Sequence, residues 1–296
     1  MVRAEMRKEA REALKGRWGK AIGFYLISTI IIMAILAVSE IPAMDTVLYW
    51  VLFVAYFAIM MPISYIMVLS FMKYKRGEDI GLFDVILKLP ENFVAGWKIV
   101  WGIFMKMWIY WVALMVLFVA AIVIMTANSE LNALGEIIYI PAWAAFTSLL
   151  LFLATFIVSI FAAMKGLHYI FTWEVMFDSG NSLKGKEAAE KSEELMQGKR
   201  RKFFMFMLSF IGWAFLAAVV GYILIAIVMS VIISPEALTN QTILAQELET
   251  IMWWFVPVIG MVFSVAFMWV SPYISVSSVV FYDRLVEGNK KEEKPE

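Results

Sequence analysis

The chain is predicted to be an all-α polytopic membrane protein with six transmembrane helices and cytoplasmic amphipathic helices at the interface. Three observations predict this: long apolar runs, a one-sided charge distribution, and tryptophans at the run ends. The runs read 21–39, 47–72, 97–126, 137–164, 203–233 and 251–282. A helix of about 20 residues crosses roughly 30 Å of hydrocarbon, and all but the first run comfortably exceed that. Tilt absorbs the excess. Three connections carry acids and no base: Glu40 and Asp45, then Glu130 and Glu136, then Glu236, Glu247 and Glu249. All 25 Lys and Arg residues lie in the N-terminal stretch, the other two connections, the tail, or the nearby helix ends. Basic residues stay cytoplasmic during insertion, so both termini are expected inside a cell membrane, with the chain multi-pass. Trp18, Trp97, Trp101 and Trp173 mark the inner interface, and Trp50, Trp143, Trp253 and Trp254 the outer one. An amphipathic indole prefers those depths.

Composition agrees. Of the 296 residues 62% are hydrophobic, and the formal net charge is zero. The whole chain, 1–296, reads as a single transmembrane domain, because Lys165–Lys202 is too short to bury a core of its own. The chain has no cysteine, which excludes disulfides, thiolate metal sites and cysteine nucleophiles. The 21 methionines suit pliable apolar packing. Ala37-Val38-Ser39 has cleavage-site spacing, but the run before it exceeds a signal-peptide core, so the first segment is expected to stay in place.

Taken in order, the elements suggest a three-fold repeat of one unit: amphipathic stretch, glycine, basic residues, two spans. The glycines are Gly16, Gly96 and Gly198. Each unit returns to the cytoplasm, so the repeats would be parallel. In the first stretch Val2, Met6, Ala10, Ala13 and Leu14 recur at helical spacing, with Arg3, Arg7, Arg11 and Lys15 around them. Such a basic amphipathic helix suits the headgroup plane. In the second, Leu82, Phe83, Ile86 and Leu89 precede Pro90, which should end that helix. In the third, Ser182 is a candidate N-cap and Gly198 a C-terminal cap for a thinner face of Leu183, Ala188, Ser192, Leu195 and Met196. Pro62 and Pro272 lie near mid-membrane in their spans and are candidate hinges. A further helix is expected after Ser234-Pro235-Glu236, which reads cap, first-turn proline, acid.

The stretches 188–213 (AAEKSEELMQGKRRKFFMFMLSFIGW), 271–285 (SPYISVSSVVFYDRL) and 10–22 (AREALKGRWGKAI) carry a resemblance. They are similar to bacterial membrane proteins grouped as the domain-of-unknown-function 975 (DUF975) family. The matching positions are Ala188, Ser192, Leu195, Met196, Gly198, Ser209–Trp213, Pro272, Tyr273, Phe281 and Tyr282. Gln197, where lysine is usual, and the acidic stretch around Glu247 depart from the pattern. The resemblance implies a polytopic membrane protein with no established activity. The family also looks distantly like the membrane domain joined to some glycerophosphodiester phosphodiesterases. Their soluble catalytic barrel has no counterpart here, so no enzyme follows from that likeness.

Catalysis needs convergent polar groups. The one histidine, His168, has Lys165 and Glu174 nearby in sequence, but His168 and Glu174 are six apart, which is poor for one helical face. No catalytic set, metal-ligand spacing or cofactor loop stands out. Lys106 lies ten residues into the third span, and no acid within the spans stands out as its partner. It is read as snorkelling to the inner interface. The reading that follows is a non-catalytic membrane protein acting through lipid or protein partners. The alternative is a transporter or channel for a small or amphiphilic solute. Expected partners are membrane lipids, anionic ones above all, with a second membrane protein or a second copy left open, and no nucleic acid. The residues expected at headgroups are Arg7, Arg11, Lys15, Lys199, Arg200, Arg201 and Lys202.

The topology has a direct test. Cysteines placed at Asn132 and Gln241 should react with an impermeant reagent outside the cell, and cysteines at Gly77 and Lys186 should not. The reverse pattern contradicts the orientation.

Overall fold

The computed structural model describes residues 3–39, 46–78, 81, 83–131, 137–232, 265 and 267–292. These residues are almost entirely helical: α1 (Arg3–Leu14), α2 (Trp18–Ser39), α3 (Thr46–Lys75), α4 (Asp84–Leu87), α5 (Leu89–Ala127), α6 (Ala142–Gly166), α7 (Thr172–Asp178), α8 (Gly185–Leu195), α9 (Arg200–Met207), α10 (Ile211–Ile232) and α11 (Val270–Glu292). A 3₁₀ turn, Leu167–Tyr169, joins α6 to α7. A small antiparallel ribbon pairs β1 (Glu130–Leu131) with β2 (Ile137–Tyr139). Among the described residues, four helical stretches are long and apolar enough to cross a membrane: Trp50–Lys75, Leu89–Ala127, Ala142–Asp178 and Arg200–Ile227. The protein is therefore a helical membrane protein. The expectations for Glu40, Asp45 and Glu136, for the helix after Ser234, for Trp253 and Trp254, and for the part of the run 251–282 up to Ser264 lie outside the described residues.

The described chain groups into two compact units, 1–97 with 201–296, and 98–200. In the first unit α3 is the spine. It packs against α2, α1 and α11, and α11 also meets α1 and α2. The core is aromatic. Phe203 and Phe206 lie 5.1 and 5.7 Å from Phe281, and Phe210 lies 5.1 Å edge-on to Tyr273. In the second unit α5 and α6 are joined by a hydrogen bond from buried Ser148 to the Ala121 carbonyl (3.0 Å) and by the Phe118–Phe152 ring contact (5.9 Å).

The elements differ from their sequence reading in four places. The second amphipathic stretch shrinks to the four residues of α4, and Pro90 falls in the first turn of α5. A proline is tolerated there because no N–H is needed. Helix α5 then runs unbroken for 39 residues, about 58 Å at 1.5 Å per residue. Gly96 therefore lies inside a helix. A Cβ on Gly96 would come within 2.9 Å of the Pro62 Cα, so its missing side chain lets α5 approach α3 at the proline. Gly16 and Gly198 share a different role, since both take a left-handed φ (75° and 67°) where α1 and α8 end. Helix α3 continues through Pro62. Pro272 instead sits in the first turn of α11, directly after a turn at Met268–Trp269. Helix α8 starts at Gly185 rather than after Ser182, whose hydroxyl donates to the Ser179 carbonyl (2.7 Å). Glu187 accepts from the Lys184 N–H (3.2 Å) and caps the helix itself.

The glycine–proline contact makes a prediction. Gly96→Ala must push backbone against backbone and should cost about 1–3 kcal/mol by overpacking, read as a lower Tm in detergent. Gly212→Ala meets nothing within 4 Å and should leave Tm unchanged. Equal Tm values for the two variants contradict the contact.

Candidate functional site

The charged groups of the second unit converge on α8. Its face of Gly185, Ala188, Ala189 and Ser192 is buried. Small residues there allow backbone contact: a Cβ on Gly102 would overlap the Gly185 carbonyl group, and one on Gly185 would overlap the Lys98 carbonyl oxygen. With α8 held this close to α5, Glu190 reaches Lys106, with Nζ to Oε1 at 2.9 Å. Three residues on, Glu193 pairs with Lys165 of α6 at 2.7 Å and accepts from the Tyr169 hydroxyl at 3.3 Å. Between them, Ser192 donates to the His168 carbonyl (2.8 Å) and accepts from the Phe171 N–H (3.2 Å). One hydroxyl thus binds both strands of the turn after α6.

Lys106, read as snorkelling with no acid within the spans for a partner, meets an acid outside them. Its partner is on an amphipathic helix 84 residues away in sequence, so no inspection of the spans finds it. The Lys106 hydrogen bond holds Glu190 below the ordinary carboxylate range. Burial pushes Glu193 upward, and the hydrogen bond and charge of Lys165 more than reverse it. His168 lies beside Glu193 of α8, a neighbour the sequence spacing did not indicate. Its Nδ1 is buried 3.9 Å from Glu193 Oε1, beyond hydrogen-bonding distance. Glu174 itself is buried, in α7.

The first unit repeats the pattern with α1. Met6, Ala10 and Leu14 are fully buried, and α1 packs on α3 and α11. The amphipathic face is thus occupied by protein rather than offered to lipid. Glu9 bridges Lys75 of α3 (2.7 Å) and Arg284 of α11 (3.0 Å). Glu5 adds a longer contact to Arg284 (3.6 Å), and Arg76 lies 3.6 Å from Asp283. Arg17, in the turn after α1, donates to the Tyr74 and Gly77 carbonyls at 2.9 and 2.8 Å. Burial pushes the Glu9 carboxyl up, but Lys75 and Arg284 outweigh it and hold Glu9 below its usual range.

The remaining cations behave differently. Arg11, Lys15, Arg200, Arg201 and Lys202 are exposed, and Arg7 and Lys199 are half-buried. None of these seven has a carboxylate partner among the described residues. They fall into two groups: Arg7, Arg11 and Lys15 along α1, and Lys199–Lys202 at the start of α9. Among the described residues no three His, Cys, Asp or Glu side chains converge as metal ligands would. The arrangement pairs the partly buried cations with carboxylates and leaves these exposed ones without such a partner among the described residues.

A family model described as a protein of unknown function, DUF975, matches residues 1–289. No curated protein and no solved structure matches the chain.

The Glu9 bridge predicts a pH dependence. A carboxyl held low in the fold contributes stability above its unfolded pKa and loses it as pH falls through the folded value. Tm should therefore drop between neutral pH and about pH 3.5, below the ordinary carboxylate range. Glu9→Gln should make that drop shallower, and an unchanged slope contradicts the bridge.

Proposed function

The chain belongs to the DUF975 family, and we propose that it is a non-catalytic, multi-pass protein of the bacterial cell membrane whose inner rim binds anionic lipid headgroups. In this reading six spans cross the membrane and both termini are cytoplasmic. Support comes from the four apolar helical stretches, from the 22-residue apolar helix α2, and from α11 following an apolar run. The three-fold repeat draws support from α1 and α8. Each is amphipathic, each ends in a left-handed glycine, and each donates glutamates to apolar helices. Gly96 does not share that role.

One observation carries the lipid reading: the cations divide into two classes, partly buried with a carboxylate and exposed without one among the described residues. Lys75, Lys106, Lys165 and Arg284 are partly buried, and each contacts a carboxylate. Arg11, Lys15, Arg200, Arg201 and Lys202 are exposed without one among the described residues. Insertion needs basic residues but does not need them left unpaired. Lys8, Arg11, Lys15 and Trp18, with the single acid Glu12, also line an open groove of about 280 Å³. Cations beside an indole suit the headgroup region. Each such residue contributes about 1 kcal/mol at an anionic surface, fading over a Debye length.

Arg200→Gln with Arg201→Gln tests this. Phosphatidylglycerol co-purifying with the folded protein should fall several-fold, and added salt should weaken its binding to the unaltered chain. Equal lipid content at matched Tm would mean that these charges serve insertion alone.

A further inference from the structure

We propose that the groove between the end of α1 and the end of α3 binds a zwitterionic phosphate ester with a primary ammonium, the headgroup of an aminophospholipid. This rests on the reading that the basic rim faces headgroups, and it adds a defined site with its own selectivity. The groove holds about 350 Å³ and is lined by Glu9, Glu12, Lys15, Arg17, Tyr74 and Lys75 among others. That is within the size range of small-ligand sites.

The lining charges divide into engaged and unengaged groups. Glu9 and Lys75 hold each other at 2.7 Å, and Glu9 also holds Arg284. Arg17 is fixed by two backbone carbonyls and by Tyr74, whose ring centroid is 5.8 Å from its guanidinium carbon. Two N–H groups of its five are engaged in this way, so others remain as donors. Glu12 has Lys8 at 3.9 Å, with both side chains more than half exposed, a weak contact in water. Lys15 has no carboxylate partner among the described residues. Its N–H donates to the Glu12 carbonyl at 3.1 Å, a tight turn that keeps the two residues adjacent.

The groove therefore presents an available carboxylate next to an available ammonium and a rigid guanidinium. A purely anionic ligand would set its charge against Glu9 and Glu12. A purely cationic one would meet Lys15, Arg17 and Lys75. A phosphodiester with a primary ammonium matches both signs: phosphate on Lys15 and Arg17, ammonium on Glu12. A quaternary ammonium lacks the N–H donors that Glu12 accepts and should bind less well.

The test uses the full chain in detergent, exchanged against phosphatidylethanolamine, phosphatidylcholine and phosphatidylglycerol, with bound lipid counted by native mass spectrometry. Phosphatidylethanolamine should be retained about ten-fold over phosphatidylcholine, as one charge-assisted hydrogen bond implies. Glu12→Gln should abolish that preference, Lys15→Gln should lower retention of both, and Arg200→Gln with Arg201→Gln should leave the preference intact. Excess soluble phosphoethanolamine distinguishes the sources: displacement shows that the headgroup alone is recognised, and its failure beside a retained preference shows that the acyl chains are required. Equal retention of the two zwitterionic lipids, or a preference that survives Glu12→Gln at matched Tm, overturns the site. Phosphatidylglycerol lost on Arg200→Gln with Arg201→Gln would still uphold the rim reading in that case. Phosphatidylglycerol unchanged would remove the rim reading independently.

Discussion

A lysine on an apolar helix needs a counter-charge, and here the amphipathic helices supply it. An unpaired charge is costly in a low-dielectric setting, so charges there are paired or neutralised. Lys106 and Lys165 ride on two apolar helices, and both find glutamates on α8. Lys75 and Arg284 ride on two others, and both find Glu9 on α1. Spacing makes this efficient. Glu190 and Glu193 are three apart and share a helical face, so one docked helix serves two lysines. The docking is prepared by packing: Gly102 and Gly185 permit backbone contact for α8, and Met6, Ala10 and Leu14 bury the apolar face of α1.

This pairing sets what remains for function. Once α1 and α8 have given glutamates to the partly buried cations, the exposed bases along α1 and at the start of α9 have no carboxylate partner among the described residues. A docked α1 is also a fixed platform. Its cations are held in register by the core beneath rather than by insertion into the headgroup layer. That turns a diffuse basic helix into a surface with grooves of defined size.

The apolar helices were readable because their signal is local: long runs without charge read as helices whatever the tertiary context. The left-handed cap at Gly198 was readable for the same reason, as a glycine after an amphipathic stretch with bases beyond it, whereas Gly16 was read only as its counterpart in the repeat. The family resemblance rested on Ser192, Phe210, Tyr273 and Phe281, which turn out to be buried. Long-range pairings were not readable. Glu190 is one of four glutamates in α8, and nothing in the local pattern selects it for Lys106. Gly96 resembled the two capping glycines in its sequence setting but serves a close approach to Pro62. Ser148 resembled any serine of an apolar helix, yet it bridges α6 to α5.

The central claim is that glutamates of amphipathic helices neutralise lysines of apolar ones, and a double-variant comparison at Lys106 and Glu190 tests it most directly. Lys106→Met, Glu190→Gln and the combined variant would be purified in one detergent and their Tm values measured against the unaltered chain. Coupled residues do not add. The account predicts that the combined variant loses no more than the worse single variant. Strictly additive losses would show two independent side chains and contradict it.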